Sequence, residues 1–288
     1  MKKLDDIKRI GVLGAGVMGS GIAVAAASSG FDVVLVDVNA SVLEKAQKYA
    51  DGYFASSVEK GKITATDKDE ILSRIHYGST VSELKADFVI EAILENLELK
   101  QRVFKELEEI NAPDSILGSN TSTLPITRIA NGLLRPAQVV GMHFFNPAPI
   151  MKLVEVIPGE MTSPEVTDLT VALAKKMGKT PVLVKDEPGF VVNRVARHYY
   201  LESLKACEEQ VASFETIDNL LEATGFKMGP FKLMDLIGVE TNHEVTKSLW
   251  EAFFRDEKFR PSRLQQKKVD AGHHGRKTGR GFYDYLGK

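Results

Sequence analysis

Cysteine is nearly absent from this sequence of 288 residues, which contains Cys207 alone. A single thiol excludes an intramolecular disulfide and a cysteine-rich zinc site, and no residue pattern predicts another metal site. Within the segment LKAC we expect Cys207 to occupy a buried helix position rather than to act as a nucleophile. This cysteine usage fits a cytoplasmic protein best.

An excess of charge of either sign is also lacking. The chain has 37 basic and 39 acidic residues, a formal net charge of −2, so it has no field that would concentrate nucleic acid or an acidic membrane. No apolar run approaches the roughly 18 residues of a membrane span. The opening MKKLDDIKRI carries acids where a signal sequence would carry its apolar core. We expect neither a nucleic-acid partner nor a membrane, and an anionic ligand must be bound locally.

Apolar residues make up 43% of the chain, which is enough for a sizeable core, and the length suits two domains. Eight apolar segments, read as mostly parallel strands, alternate with helices up to the segment DEPG at 186–189, and only helical periodicity follows. We predict an α/β protein with a Rossmann-type dinucleotide-binding domain over residues 1–187, built on a mostly parallel sheet, and an all-helical substrate domain over residues 188–288. A cleft between two such domains is a usual place for a substrate.

Several helix starts are marked by capping residues. Ser41 with Glu44 has the form of a capping box. Ser163 stands directly before Pro164, and Ser213 precedes a further helical segment. We expect helices to begin at these three serines.

The segment RIGVLGAGVMG at 9–19 predicts a strand, a glycine turn and a helix start. Gly14 permits the tight turn, Gly16 lets the backbone approach a pyrophosphate, and Gly19 lets helix and strand pack closely, with Met18 inside the same turn. Asp37 ends the next apolar strand, where a carboxylate accepts hydrogen bonds from an adenosine ribose and favours NAD over NADP. The alternatives are a chance glycine pattern and an acid that only solvates a strand end.

His143 is the best candidate for a catalytic base, because it lies near the end of a predicted strand. The chain then turns through NPAP, and the next strand carries Glu155. A hairpin centred on Pro149 would place positions 143 and 155 opposite one another, which would make a His–Glu dyad. The alternative is a strand-end histidine bound to a backbone carbonyl, with a surface glutamate.

Three further polar residues have both a functional and a structural interpretation. Ser122 follows a strand end, where its hydroxyl would hold a substrate oxygen, or it caps a helix before Pro125. Asn193 lies at the first turn of the helix that opens the second domain, where it reaches a substrate or caps that helix. Lys60 would meet a phosphate or lie on a solvated helix end.

Seven blocks of the sequence, spread over nearly its whole length, resemble the 3-hydroxyacyl-CoA dehydrogenase family, and most of all its short bacterial 3-hydroxybutyryl-CoA members. They occur in the family's order: GAGVMGSGIA (14–23), EAILENLELK (91–100), SNTSTLPIT (119–127), HFFNPAPIMKLVEVI (143–157), DEPGFVVNR (186–194), MGPFKLMDLIG (228–238) and KTGRGFYDY (277–285). The stretch HYYLE at 198–202 departs from the commoner family residues, which bears on acyl-chain length.

The resemblance implies reversible hydride transfer between C3 of a (3S)-3-hydroxyacyl-CoA and NAD. It implies that His143 is the catalytic base and Glu155 its partner. It further implies that Ser122 and Asn193 contact the 3-oxygen of the substrate.

The resemblance also places Glu95 and Asn120 near the nicotinamide ribose, and it matches Lys60 loosely to a lysine that meets the CoA phosphates. It implies a homodimer formed through the helical domain. Two rivals stay open: an NAD-dependent dehydrogenase of a free hydroxy acid, similar to gulonate dehydrogenase, and a non-enzymatic relative of the crystallin kind. The presence of the four residues named for catalysis disfavours the second.

Overall fold

A sheet of eight strands carries the first part of the chain in this computed structural model, which describes residues 2–287. The strands are β1 (Arg9–Leu13), β2 (Asp32–Val36), β3 (Ile75–Gly78), β4 (Phe88–Glu91), β5 (Ile116–Ser119), β6 (Val139–Phe144), β7 (Leu153–Pro158) and β8 (Thr180–Leu183). Their number agrees with the eight apolar segments of the sequence.

The order of the strands across the sheet is β3-β2-β1-β4-β5-β6-β7-β8. The pair β6 and β7 is antiparallel, whereas the other neighbouring pairs are parallel. The first six positions follow the doubly wound order, in which the chain reverses direction across the sheet between β1 and β4. Ligands of such sheets bind beyond the carboxyl ends of the strands at this switch point.

The central strands are buried along their length, because helices cover both faces of a parallel sheet. In β4 and β5 every residue is buried, and in β1 only Arg9 is exposed. The helices of this part are α1 (Val17–Ser28), α2 (Ala40–Glu59), α3 (Ala65–Ser73), α4 (Leu97–Ile110), α5 (Ile126–Ala130) and α6 (Pro164–Lys176).

The helix caps agree with the sequence at two of three places. Ser163 and Ser213 cap their helices, each accepting a backbone N–H three residues ahead. The expected box of Ser41 and Glu44 is wrong, because α2 begins two residues earlier than that box requires. Its N-cap is Asn39, whose side chain accepts the N–H of Ser41 at 3.0 Å.

The chain divides into two compact units, Met1–Glu187 and Pro188–Lys288. The second unit contains the helices α7 (Val192–Glu208), α8 (Phe214–Ala223), α9 (Pro230–Ile237), α10 (Val239–Ala252) and α11 (Arg263–Asp270). The predicted fold class, a Rossmann-type α/β part followed by a helical part, is confirmed. Over residues 2–287, no helix combines the length and the apolar character needed to cross a membrane.

Cys207 lies in α7 but is half-buried, so the expectation of a fully buried position was too strong. Burial, together with the nearby carboxylates of Glu215 and Glu208, raises the pKa of its thiol. A thiol with a raised pKa has less thiolate at neutral pH, which argues against a nucleophilic role.

Two buried carboxylates hold the chain end in the helical unit. Asp218 accepts the N–H of Phe231 at 2.9 Å, in the first turn of α9, and the hydroxyl of Tyr283 at 2.7 Å. Asp235 accepts the N–H groups of Phe282 and Tyr283, both at 2.9 Å. The glycine-rich tail is therefore fixed onto the helices by charge-assisted hydrogen bonds.

Candidate active site

The glycine turn between β1 and α1 combines tight packing with open space. Gly14 has a φ of 95°, a conformation that other residues rarely adopt. A Cβ on Gly19 would lie 1.7 Å from the carbonyl oxygen of Gly14, so only glycine lets α1 begin this close to the turn. At Gly16, the N-cap of α1, a Cβ would meet no atom within 4 Å. An anion therefore fits at the N-terminus of α1.

Asp37 follows β2 and lies directly beside this turn. One carboxylate oxygen accepts the N–H of Ala15 at 2.8 Å, and the other accepts the N–H of Asn39 at 2.9 Å. These bonds fix the orientation of a half-buried carboxylate next to the phosphate position. The turn, the open space at Gly16 and this acid together fit NAD.

A buried ion pair lies at the carboxyl end of β4. Glu91 is the last residue of the strand, and its carboxylate lies 2.5 Å from the Nζ atom of Lys100 in α4, with both side chains at most 1% exposed. Glu91 also accepts the hydroxyl of Ser119 at 2.6 Å and the N–H of Ile93 at 2.8 Å. The carboxylate is paired and hydrogen-bonded, as a charge in this environment requires.

Glu95 organises the loop that follows β5. Its carboxylate lies 3.3 Å from Lys100 and accepts the hydroxyl of Thr121 at 2.5 Å and the N–H of Ser122 at 3.0 Å. Burial on its own would raise the pKa of Glu95, but the charge of Lys100 and these hydrogen bonds outweigh it and lower the pKa. The ionised carboxylate therefore fixes the backbone of the segment that carries Ser122.

His143 and Glu155 are directly opposite in the antiparallel register of β6 and β7. The Nδ1 atom of His143 lies 2.8 Å from a carboxylate oxygen of Glu155. Both side chains are buried, with 6% and 1% of their residues exposed. A carboxylate at this distance favours the tautomer that carries its proton on Nδ1. The facing positions predicted from the hairpin are confirmed by the register, whereas the catalytic role of the pair stays a prediction.

The remaining predicted residues occupy varied positions. Asn120 directly follows β5, and its side-chain oxygen accepts the N–H of Phe144 at 2.8 Å, which ties the ends of β5 and β6 together. Met18 is half-buried in the first turn of α1. Lys60 is exposed at the C-cap of α2, and Asn193 lies in the first turn of α7.

Glu91 and Lys100 were missed by the sequence reasoning, although both stand in a quoted block. The available signal was the glutamate that ends the otherwise apolar strand FVIE. Such an acid needs a buried positive partner, and Lys100 occupies the start of the following helix.

The doubly wound sheet and its glycine turn define a dinucleotide-binding protein, and comparison with known proteins identifies its kind. Residues 9–187 match the 3-hydroxyacyl-CoA dehydrogenase NAD binding domain, and residues 189–285 match the 3-hydroxyacyl-CoA dehydrogenase C-terminal domain. The chain is 48% identical to a probable 3-hydroxybutyryl-CoA dehydrogenase of Bacillus subtilis (strain 168), over 97% of this chain and 98% of that one.

Two comparisons with Escherichia coli proteins cover nearly all of this chain but only part of the relative. The chain is 44% identical to 3-hydroxyadipyl-CoA dehydrogenase of strain K12, over 97% of this chain and 59% of that one. The crystal structure of a 3-hydroxybutyryl-CoA dehydrogenase from E. coli K12 superimposes with a TM-score of 0.95 at 44% identity, over 98% of this chain and 60% of that one.

The fold, the glycine turn and these matches define an NAD-dependent dehydrogenase. The chain belongs to the 3-hydroxyacyl-CoA dehydrogenase family. The family and the NAD cofactor predicted from the sequence are thereby confirmed.

Removing the Lys100 side-chain charge should lower the free energy of unfolding of the protein. Lys100→Met leaves the Glu91 carboxylate buried without its partner, which we expect to cost about 3–5 kcal/mol of unfolding free energy. Urea unfolding measures this loss. The double variant Glu91→Gln, Lys100→Met should recover part of it, because no uncompensated charge is then buried.

The matched control is Lys247→Met, which removes an exposed ion pair with Glu244 of 3.0 Å. We expect this change to cost at most about 1 kcal/mol. Equal losses in Lys100→Met and Lys247→Met would contradict the importance of the buried pair.

Asp37 should set the choice of cofactor. Without its carboxylate, the ribose hydroxyls lose an acceptor and a 2′-phosphate is no longer repelled. We expect Asp37→Ala to lower kcat/KM for NADH by roughly 10- to 100-fold, the effect of hydrogen bonds to a charged group, with a much smaller loss for NADPH. Asp69→Ala, an exposed acid on α3, is the control. An unchanged preference for NADH in Asp37→Ala would show the assignment to be wrong.

Proposed function

We propose that this enzyme interconverts a (3S)-3-hydroxyacyl-CoA and the corresponding 3-oxoacyl-CoA, with a short acyl chain such as 3-hydroxybutyryl. The observation that carries the proposal is the buried 2.8 Å contact between His143 and Glu155 at the carboxyl end of the sheet. The names of the relatives, which refer to 3-hydroxybutyryl-CoA and 3-hydroxyadipyl-CoA, support a short-chain thioester. When bound, NAD supplies the hydride acceptor.

His143 would act as the general base that removes the hydroxyl proton during oxidation. With Nδ1 directed at Glu155, the proton is exchanged at Nε2. Glu155 would hold the ring orientation and stabilise the imidazolium that forms, because a buried carboxylate interacts strongly with a positive charge 2.8 Å away.

Ser122 and Asn193 would hold the 3-oxygen of the substrate, so that the hydrogen on C3 is directed toward the cofactor. The support for Ser122 is its fixed backbone, whose N–H donates to Glu95 at 3.0 Å. The support for Asn193 is its place in the first turn of α7 and its match to the family block DEPGFVVNR. Glu95 and Asn120 would lie near the nicotinamide ribose, since both are at the carboxyl edge of the sheet.

The protein is proposed to be a cytoplasmic homodimer associated through its helical unit. The support for the location is the single cysteine, and the support for the dimer is the family resemblance. Several large apolar side chains of the helical unit are exposed, among them Phe254 at 96% and Leu220 at 63%, and such surfaces are covered in obligate dimers. A molar mass of one chain in solution would refute the dimer.

The dyad is tested by a double-mutant cycle. His143→Gln should lower kcat by roughly two to four orders of magnitude, the usual contribution of a positioned acid–base group, with NADH binding intact. Glu155→Gln should also lower kcat, because an amide cannot stabilise imidazolium by charge. Since the two residues would act as one unit, the double variant should be little worse than His143→Gln. Single-turnover reduction of acetoacetyl-CoA by NADH measures all three.

A second pair of a histidine and a carboxylate in this chain provides a matched control for the dyad. His76 lies 2.9 Å from Asp32 in an exposed pair, and His76→Gln should leave kcat unchanged. Fully multiplicative losses at His143 and Glu155 would mean that Glu155 supports the fold or the substrate and does not act as the partner of His143. Reduction of free oxo acids in preference to acetoacetyl-CoA would favour the rival enzyme, and a complete lack of turnover would favour the crystallin-like rival.

Lys60 is proposed to contact the CoA phosphates, because it is an exposed cation at the end of α2. Lys60→Ala should raise KM for acetoacetyl-CoA several-fold with kcat nearly intact, since a remote contact is equally strong in the ground and transition states. The effect should shrink as salt is added. Lys48→Ala on the same helix is the control, and an equal KM in both variants at low ionic strength would remove Lys60 from the site.

A further inference from the structure

Arg197 is a buried cation in the interior of the helical unit, with 3% of the residue exposed. Its Nη1 atom donates to the carbonyl oxygen of Asn242 at 2.8 Å and to the hydroxyl of Thr246 at 3.0 Å, both in α10. The guanidinium carbon lies 4.8 Å from the ring centre of Tyr200. One side of the guanidinium is therefore fixed between α7 and α10.

The Nε atom of the guanidinium is unsatisfied. It is buried and, within residues 2–287, has no hydrogen-bond partner. The hydrogen bonds described above all start from Nη1. An arginine holds a carboxylate with two parallel N–H donors, and the edge that carries Nε is one of the edges that can do this.

Among residues 2–287, the contacts of Arg197 do not compensate its charge either. A carbonyl, a hydroxyl and a phenol ring carry no negative charge, whereas the buried Lys100 has a carboxylate 2.5 Å away. Burial lowers the pKa of Arg197 to about 10, so the group is still charged at neutral pH. Burying a cation in this way is costly, and binding of an anion would offset that cost.

The position of Arg197 connects it to the proposed substrate. Asn193 and Arg197 are four residues apart in α7, so they lie on one side of the helix, about 6 Å or one turn apart along its axis. If Asn193 holds the 3-oxygen, as proposed above, a group a few carbons further along the acyl chain is within reach of the long Arg197 side chain.

We infer that Arg197 is a specificity-determining residue that binds the terminal carboxylate of a short dicarboxylic 3-hydroxyacyl-CoA. The inference rests on the proposed function, because it uses the same substrate position. Its unsatisfied Nε edge supplies the fork that a carboxylate requires, and the carboxylate supplies the missing negative charge. An acyl chain that ends in a methyl group supplies neither.

The test uses three thioesters with NADH and the full chain. 3-Oxoadipyl-CoA carries the carboxylate, 3-oxohexanoyl-CoA has the same chain length without it, and acetoacetyl-CoA reports the chemistry alone. We expect the wild type to favour 3-oxoadipyl-CoA over 3-oxohexanoyl-CoA in kcat/KM by roughly 10- to 100-fold, the discrimination of charge-assisted hydrogen bonds. Arg197→Met should bring this ratio close to one. Arg197→Lys, which keeps the charge but loses the fork, should retain an intermediate ratio.

The control is Arg194→Met, an exposed arginine in α7 whose guanidinium lies 4.9 Å from the ring centre of Phe253, and its ratio should equal that of the wild type. The inference is overturned if the wild type does not distinguish the two six-carbon thioesters, or if Arg197→Met keeps the wild-type ratio. Should Arg197→Met fail to fold by circular dichroism, the wild-type and Arg197→Lys ratios decide. Reduction of acetoacetyl-CoA without this discrimination refutes the inference alone, whereas no reduction of any thioester refutes the proposed function as well.

Discussion

Backbone pairing at the carboxyl ends of five neighbouring strands is the constraint on which the candidate site depends. The register aligns Val36, Leu13, Glu91, Ser119 and Gly141 in one row across β2, β1, β4, β5 and β6. Apart from Lys60, at the C-cap of α2, the proposed site residues of this unit stand at or near this row. Because a slip of one residue in any pair would turn its side chains to the opposite face of the sheet, the pairing of apolar strands also places the polar groups.

Several charged side chains lie at or near this row, although burial disfavours their ionised forms. Glu91 ends an apolar strand, and its carboxylate is stable there because Lys100, Ser119 and a backbone N–H all contact it. Lys100 in turn lies within 3.3 Å of Glu95, so one buried cation serves two carboxylates. The ionised Glu95 then orders the loop behind β5 through its hydrogen bonds. The backbone thus fixes the position of Glu91, and the ionic contacts of Lys100 and Glu95 fix the orientation of the loop that follows β5.

Features that depend on local spacing were predictable from the sequence. The glycine turn, the eight strands and the pairing of His143 with Glu155 all follow from short-range patterns and hairpin geometry. The start of α2 was not predictable from the sequence, because Asn39 and Ser41 are both good capping residues. The backbone of the preceding turn selects Asn39. The contact between Glu91 and Lys100 joins a strand to a helix across a loop. The periodicity of the strand and that of the helix each predict a buried face, but neither predicts which side chains of the two elements meet.

Two family blocks in the helical unit, MGPFKLMDLIG and KTGRGFYDY, serve folding rather than substrate choice. Asp235, in the block MGPFKLMDLIG, binds the backbone of the block KTGRGFYDY, and a Cβ on Gly281 would lie 2.0 Å from its carboxylate oxygen. These residues are required together because the tail must approach a buried carboxylate closely. Arg197 stands in none of the seven blocks. A buried residue outside these blocks, with an unsatisfied Nε, is where relatives with one reaction and one fold can differ in the acyl chain that they accept.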